Sequence, residues 1–101
     1  MRVFDLKAMT SHPYREREKN VFYQTPRFKA RIIELPAKGS MPTCEMASHV
    51  LFYVVQGEAE VQVNQEVTTI KEGQCLITEP ATLAMKTENG VKILGVQVAT
   101  P

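Results

Sequence analysis

The residues best equipped for chemistry in this sequence lie between Cys44 and His49. Cys44 supplies a thiol, Glu45 a carboxylate, Met46 a thioether and His49 an imidazole. A thiolate with a thioether suits a soft ion such as Cu(I), and cysteine with histidine suits zinc. A cysteine nucleophile needs a base within hydrogen-bond reach, and a buried carboxylate can act as a general acid or base. The stretch therefore offers either a metal site or a small catalytic group.

Strand geometry restricts which of these side chains can act together. Successive residues of an extended strand point to opposite faces. Cys44 and Met46 therefore share a face, Glu45 lies on the other, and His49 differs in parity from Val50 and is expected to point away from the interior. Cysteine and methionine are also common apolar core residues. We interpret Cys44 and Met46 as interior side chains, with soft-metal binding as the alternative.

Several other residues carry reactive groups without forming a recognisable constellation. Cys75 and Met85 are expected to lie near Cys44 and Met46, at the mouth of the folded domain. Glu79 is interpreted as a surface carboxylate. Lys86 follows two apolar residues, and its direction is left open. His12 lies in a proline-broken segment where solvent exposure is expected. No Ser-His-Asp arrangement is readable, so no catalytic residue is predicted.

The composition is that of one folded domain. The chain has 101 residues, of which 44% are hydrophobic, and a formal net charge of +1. Acidic and basic residues are interspersed, so no nucleic-acid footprint is expected. The one dense charge run, residues 15–19, alternates in sign and is interpreted as a solvated loop.

The sequence also indicates no membrane segment and no disulfide framework. No apolar run approaches the roughly 18 residues that cross a bilayer. Asp5 and Lys7 interrupt the first ten residues where a signal peptide needs an apolar core. A cytoplasmic location is expected, and Cys44 and Cys75 are then expected to remain thiols.

Short β-rich runs separated by Gly, Pro or Asn are typical of an all-β barrel. Residues 3–6 and 21–23 are predicted as short strands. From residue 27 the alternation places Phe28, Ala30 and Ile32 on a buried face, with Arg27, Lys29 and Arg31 on the other.

Later runs are predicted to be joined by turns. We expect a hairpin at Gln56-Gly57 between residues 50–55 and 58–63, and another at Asn64-Gln65. Further turn signals lie at residues 71–73 and 88–90, the second read as a hairpin. The spacing predicts eight or nine strands, as in a jelly roll. Residues 50–55 are apolar on both faces, so both sides of this strand are expected to be covered.

The order of motifs from residue 27 to residue 98 resembles the cupin superfamily of small jelly-roll barrels. The resemblance rests on L-P-x-x-G-S-x-P, V-L-F-Y-V-V-Q-G-E-A-E-V, I-x-E-G-Q-C-L-I-T and N-G-V-K-I-L. It implies an all-β, cupin-type jelly-roll barrel of two antiparallel sheets. Residues 1–101 form a single domain in this interpretation, with N-terminal strands and a charged loop in 1–26 and the core barrel in 27–98.

Cupins commonly hold one divalent metal on three histidines and a Glu or Gln. Aligned on Gly57 and Gly73, this sequence departs from that pattern at all four ligand positions, which are Cys44, Met46, Val50 and Ala84. A one-residue slip substitutes Thr43 and Glu45 and restores at most one ligand. We therefore expect no cofactor and a metal-free barrel.

The resulting expectation is a binding or structural module. Its pocket is predicted to be apolar, to accept a small apolar ligand, and to be lined by Cys44, Met46, Val50, Phe52 and Ala84. The resemblance also implies a homodimer, which would cover the apolar surface. Two alternatives stay open: a metal-dependent isomerase, lyase or dioxygenase-like enzyme using Cys44 and Met46, and a ligand-sensing module for a separate partner chain.

Overall fold

The structure is a computed structural model that describes residues 1–99, and it is mostly β. A 3₁₀ segment, Tyr14–Asn20, precedes eight antiparallel strands. The strands are β1 (Val21–Gln24), β2 (Phe28–Leu35), β3 (Ser40–Met46), β4 (His49–Val63), β5 (Glu66–Lys71), β6 (Cys75–Thr78), β7 (Ala81–Lys86) and β8 (Val91–Val98). No helix in residues 1–99 is long and apolar enough to span a bilayer.

The strands form one curled antiparallel sheet, a half-barrel, in the order β1-β2-β8-β4-β7-β3. Strand β4 is central to the sheet because its 15 residues pair with four other strands. Its first half pairs with β8 and β6, and its second half pairs with β7 and β5. The all-β prediction is confirmed at this level.

The hairpin predicted at Gln56-Gly57 is wrong, since β4 continues through both residues. The register with β8 shifts between Val54 and Gln56, which marks a β-bulge. Gly57 has a φ of 86°, and a Cβ there would lie 2.3 Å from the carbonyl oxygen of Gly90. Glycine therefore bends this strand and admits a neighbouring backbone, instead of reversing the chain.

The other turns divide between confirmed and corrected predictions. Val63 pairs with Glu66 across Asn64-Gln65, so this hairpin is confirmed. Residues 88–90 do form a turn, but β7 and β8 pair with other strands, so it is not a hairpin. Residues 3–6 are not a strand and lie in irregular backbone. The residues that follow are held by Lys92, which is buried and whose Nζ donates to the carbonyl oxygens of Lys7 and Met9.

The core lies against the inner face of the curled sheet. Its fully buried side chains include Val54, Val61, Leu83 and Ile93. Burying a side chain of this size contributes roughly 1.5–3 kcal/mol, so these four are a main source of stability.

Strand β2 is covered on both faces, which the alternation alone did not indicate. Ala30 and Ile32 are buried, as predicted, whereas Phe28, predicted for the same buried face, is 37% exposed. Ala30 lies on the outer face, in a depression that it shares with Phe4 and Leu6 of the N-terminal segment. The opposite face of β2 therefore looks into the half-barrel, and it carries Lys29 and Arg31.

Candidate functional site

A cavity of about 270 Å³ lies against the inner face of the sheet. Strands β2, β3, β4, β7 and β8 form its walls, and the 3₁₀ segment forms its rim. This volume is near the lower end of small-molecule pockets, which are concave and largely preformed.

Four of the five residues predicted to line a pocket lie on this cavity. Cys44 and Met46 extend from β3, and Val50 and Phe52 from β4. Ala84 is not among the lining residues. Leu83 lines the cavity instead. Leu83 and Met85 point to the buried face of β7, and Ala84 points to the opposite face.

The sulfur atoms of Cys44 and Met46 come together on the wall. The Cys44 thiol lies 3.6 Å from the Met46 Sδ, in the geometry of a weak S–H hydrogen bond. Cys44 is half-buried and Cys75 is exposed, and both are free thiols. The pair of sulfur atoms therefore forms a soft, polarisable corner of the cavity.

The donor groups here do not fit the metal site that the resemblance to cupins implies. Across residues 1–99, no three His, Cys, Asp or Glu side chains gather in a way that could hold an ion. His49, Glu45 and Cys75 are exposed, and none of the three lines the cavity. The wall offers two sulfur atoms where imidazoles and a carboxylate would be needed.

One wall of the cavity is charged, which differs from the expectation of an apolar pocket. Lys29 and Arg31 extend inward from β2, and Gln97 does so from β8. Arg31 Nη2 donates a hydrogen bond of 3.0 Å to Gln97 Oε1. The alternation placed Lys29 and Arg31 on a common face, but it did not indicate that this face looks into the cavity.

The rim brings a carboxylate to the charged wall. Glu18 Oε1 lies 3.6 Å from Arg31 Nη2, and Glu18 Oε2 lies 3.7 Å from Lys29 Nζ. The segment predicted as a solvated loop is thus a 3₁₀ turn over the cavity mouth.

The rim is fixed by contacts that do not involve the charged wall. Asn20, which is buried, accepts from the backbone N–H of His12 and donates to its carbonyl oxygen. Arg17 packs over the Tyr14 ring at 4.5 Å and donates to the Tyr14 carbonyl oxygen. His12 is exposed, as predicted, and lies at the rim.

Gly95 of β8 lies on the floor of the cavity. It faces Phe52 on β4 and Arg31 on β2 in the strand register. A Cβ added at Gly95 would lie 3.1 Å from Ile33 Cδ1, 3.6 Å from Phe52 Cε1 and 3.7 Å from Arg31 Cγ. Gly95 is therefore closely covered by its neighbours, and a side chain here would press on Ile33.

Two further candidates lie outside the cavity. Lys86 is largely exposed and pairs with Glu60 at 3.2 Å, so it points to solvent. Glu79 is exposed in the turn between β6 and β7.

A second, more open depression of about 500 Å³ lies on the outer face, between the N-terminal segment and strands β1, β2 and β8.

Comparison with solved structures identifies the architecture. A cupin superfamily protein from Desulfitobacterium hafniense superposes with a TM-score of 0.74. It is 16% identical, over 79% of this chain and 74% of that chain. The chain has the cupin fold. By sequence, neither a family model nor a curated protein matches it.

Other cupin-fold neighbours differ widely in size. A protein from Thermus thermophilus matches over 100% of both chains, with 19% identity and a TM-score of 0.81. Salicylate 1,2-dioxygenase from Pseudoaminobacter salicylatoxidans matches with 18% identity and a TM-score of 0.68. The match covers 72% of this chain but 20% of the dioxygenase. At these identities the likeness concerns the fold.

Proposed function

We propose that this protein is a metal-free cupin that binds a small molecule in its inner cavity. In this proposal the half-barrel is the main part of a jelly roll of two antiparallel sheets. The observation that carries the proposal is the cavity itself, with Phe52, Val50 and Leu83 on one side and Lys29 and Arg31 on the other. Apolar walls with a few placed polar groups are the usual composition of a ligand site.

The metal-free part of the proposal rests on the donor chemistry. Cys44 and Met46 supply one thiol and one thioether, and Val50 supplies none. A hard divalent cation prefers oxygen and imidazole donors. The alternative is a metal-dependent cupin enzyme, which finds support in the dioxygenase of similar fold.

The test uses protein purified without chelator. Elemental analysis should give well below one metal ion per chain, both for the wild-type protein and for Cys44→Ser. A fragment screen by ¹⁵N NMR should then find molecules that shift the amide signals of Phe52 and Gly95 and raise the melting temperature. Stoichiometric metal that is lost in Cys44→Ser would overturn the metal-free proposal. A screen with no fragment at these amides would overturn the binding proposal.

We also propose that a second copy of the chain covers the outer face. Leu51, Tyr53 and Ile77 lie side by side on β4 and β6, since Leu51 pairs with Ile77. Ile77 is 70% exposed and Tyr53 38% exposed, which is unusual for neighbouring large apolar residues. Val96 of β8 pairs with Leu51 and extends the row towards the outer depression. An apolar face of this kind suits a twofold homodimer. A cytoplasmic location stays a prediction.

A further inference from the structure

We propose that the cavity ligand is a small organic carboxylate with an apolar body, and that Glu18 is its built-in competitor. This inference rests on the proposed binding function and names the ligand class for the same cavity. It starts from Lys29 and Arg31, which extend from β2 into the half-barrel. Their side chains are 29% and 14% exposed, so Arg31 in particular is largely withdrawn from water.

A guanidinium in this position needs an anionic partner. Taking a cation out of water is costly unless it is paired and hydrogen-bonded. Gln97 Oε1 accepts one of the five donors of Arg31, at 3.0 Å, and fixes the plane of the group. The remaining donors form the planar fork that binds carboxylates with two parallel hydrogen bonds.

Glu18 marks where such a carboxylate lies. Its oxygens are 3.6 Å from Arg31 Nη2 and 3.7 Å from Lys29 Nζ, beyond hydrogen-bond distance. The Glu18 side chain is 71% exposed, so solvent weakens both ion pairs. Glu18 therefore holds the anion position loosely, and an incoming carboxylate can displace it without opening the rim, whose other contacts are independent.

The local charges leave room for an added anion. Arg17 stacks on Tyr14, and Glu34 accepts a hydrogen bond from Ser11. Lys29 and Arg31 together face the single carboxylate of Glu18. A carboxylate that replaces Glu18 at Arg31 therefore still meets an excess of one positive charge.

The opposite wall specifies the body of the ligand. Val50, Phe52 and Leu83 present hydrocarbon, and Met46 presents a thioether. Gly95 lies between Phe52 and Arg31 on the cavity lining. A ring or short chain fits here with its carboxylate at Arg31, and the volume of about 270 Å³ restricts it to a small acid.

Benzoate tests the ligand class when it is compared with benzamide and benzyl alcohol, which have similar shape and no charge. Each is titrated into the full chain, and binding is followed by the amide shifts of Phe52 and Gly95. Benzoate should bind about tenfold or more tightly than benzamide. Arg31→Gln should remove that preference, whereas Arg27→Gln, an exposed arginine outside the cavity, should retain it. Glu18→Gln should strengthen benzoate binding by roughly two- to fivefold.

The outcomes separate this inference from the proposed function. Equal binding of benzoate and benzamide would overturn the carboxylate class and leave a neutral binding pocket. Failure of all three probes and of every fragment would overturn both proposals. Weaker benzoate binding in Glu18→Gln would overturn the competitor role. Glu18 is exposed and the neutral probes need no mutation, so the test stands even where Arg31→Gln does not fold.

Discussion

Arg31 of β2 and Gln97 of β8 join the two strands on their inner face through a 3.0 Å hydrogen bond from Arg31 Nη2 to Gln97 Oε1. The two residues are diagonal neighbours, since Arg31 pairs with Gly95 and Lys29 pairs with Gln97. The bond orients a largely buried cation towards the cavity. The same hydrogen bond therefore contributes to the stability of the sheet and positions Arg31 for ligand binding.

Replacing Gln97 with methionine should therefore destabilise the protein. The change removes the acceptor of a charge-assisted hydrogen bond and keeps a side chain of similar length. We expect a loss of about 1–2 kcal/mol in the free energy of unfolding, measured by urea denaturation. Gln65→Met, in the exposed turn between β4 and β5, is the control and should change it by less than about 0.5 kcal/mol. Equal effects at both positions would show that Gln97 does not hold Arg31.

The bulge in β4 gives a second prediction through a matched pair of glycines. Gly57 and Gly73 have nearly equal φ values, 86° and 83°. A Cβ at Gly57 would lie 2.3 Å from the Gly90 carbonyl oxygen, whereas a Cβ at Gly73 has no atom within 4 Å. Gly73→Ala should cost about 1–2 kcal/mol of unfolding free energy from backbone conformation alone. Gly57→Ala should cost clearly more, and a similar cost for both would contradict the close approach.

Lys92 gives a third prediction, about the N-terminal segment. Its buried Nζ donates to the carbonyl oxygens of Lys7 and Met9 at 2.8 and 2.7 Å. Lys92→Met should release residues 1–9 locally while the sheet stays folded, because the lost contacts join only these two parts. Trypsin should then cleave after Lys7 several times faster than in the wild-type protein. Lys71→Met, at an exposed position, is the control, and unchanged cleavage in Lys92→Met would contradict this role.

The outer face gives a fourth prediction. Ile77→Glu places a charge in the middle of the proposed dimer surface and should convert the dimer to a monomer. Val67→Glu is the control, since Val67 is 57% exposed on β5, outside that surface. Light scattering coupled to size-exclusion chromatography measures both masses. A wild-type monomer, or a dimer that survives Ile77→Glu, would contradict the proposed interface.

The positions of most strands along the chain were predictable because turns and alternations are local signals, whereas the order of strands in the sheet was not predicted. Asn64-Gln65 reverses the chain where the two-residue hairpin was expected. Gly57 was misread because a glycine between two apolar runs suits a turn as well as a bulge. Only the approach of Gly90, far along the chain, decides between them.

The candidate site was predictable on β3 and β4 and not on β2 or β7. On these strands the alternation of side chains identified four residues that line the cavity, Cys44, Met46, Val50 and Phe52. On β7 an error of one residue exchanged Ala84 for Leu83, since neighbouring residues face opposite ways. The alternation of side chains placed Lys29 and Arg31 on one face of β2, but it does not indicate which face of the strand lines the cavity. That depends on the N-terminal segment, which covers the other face.

The central claim is that the cavity binds a small molecule without the help of a metal. The most direct measurement is a ¹⁵N NMR titration of chelator-treated protein with benzoate. We predict that the Phe52 and Gly95 amide signals shift and saturate at one benzoate per chain, and that added Zn²⁺ or Cu(I) does not alter the affinity. Shifts at these amides that arise only after metal is added would contradict the account.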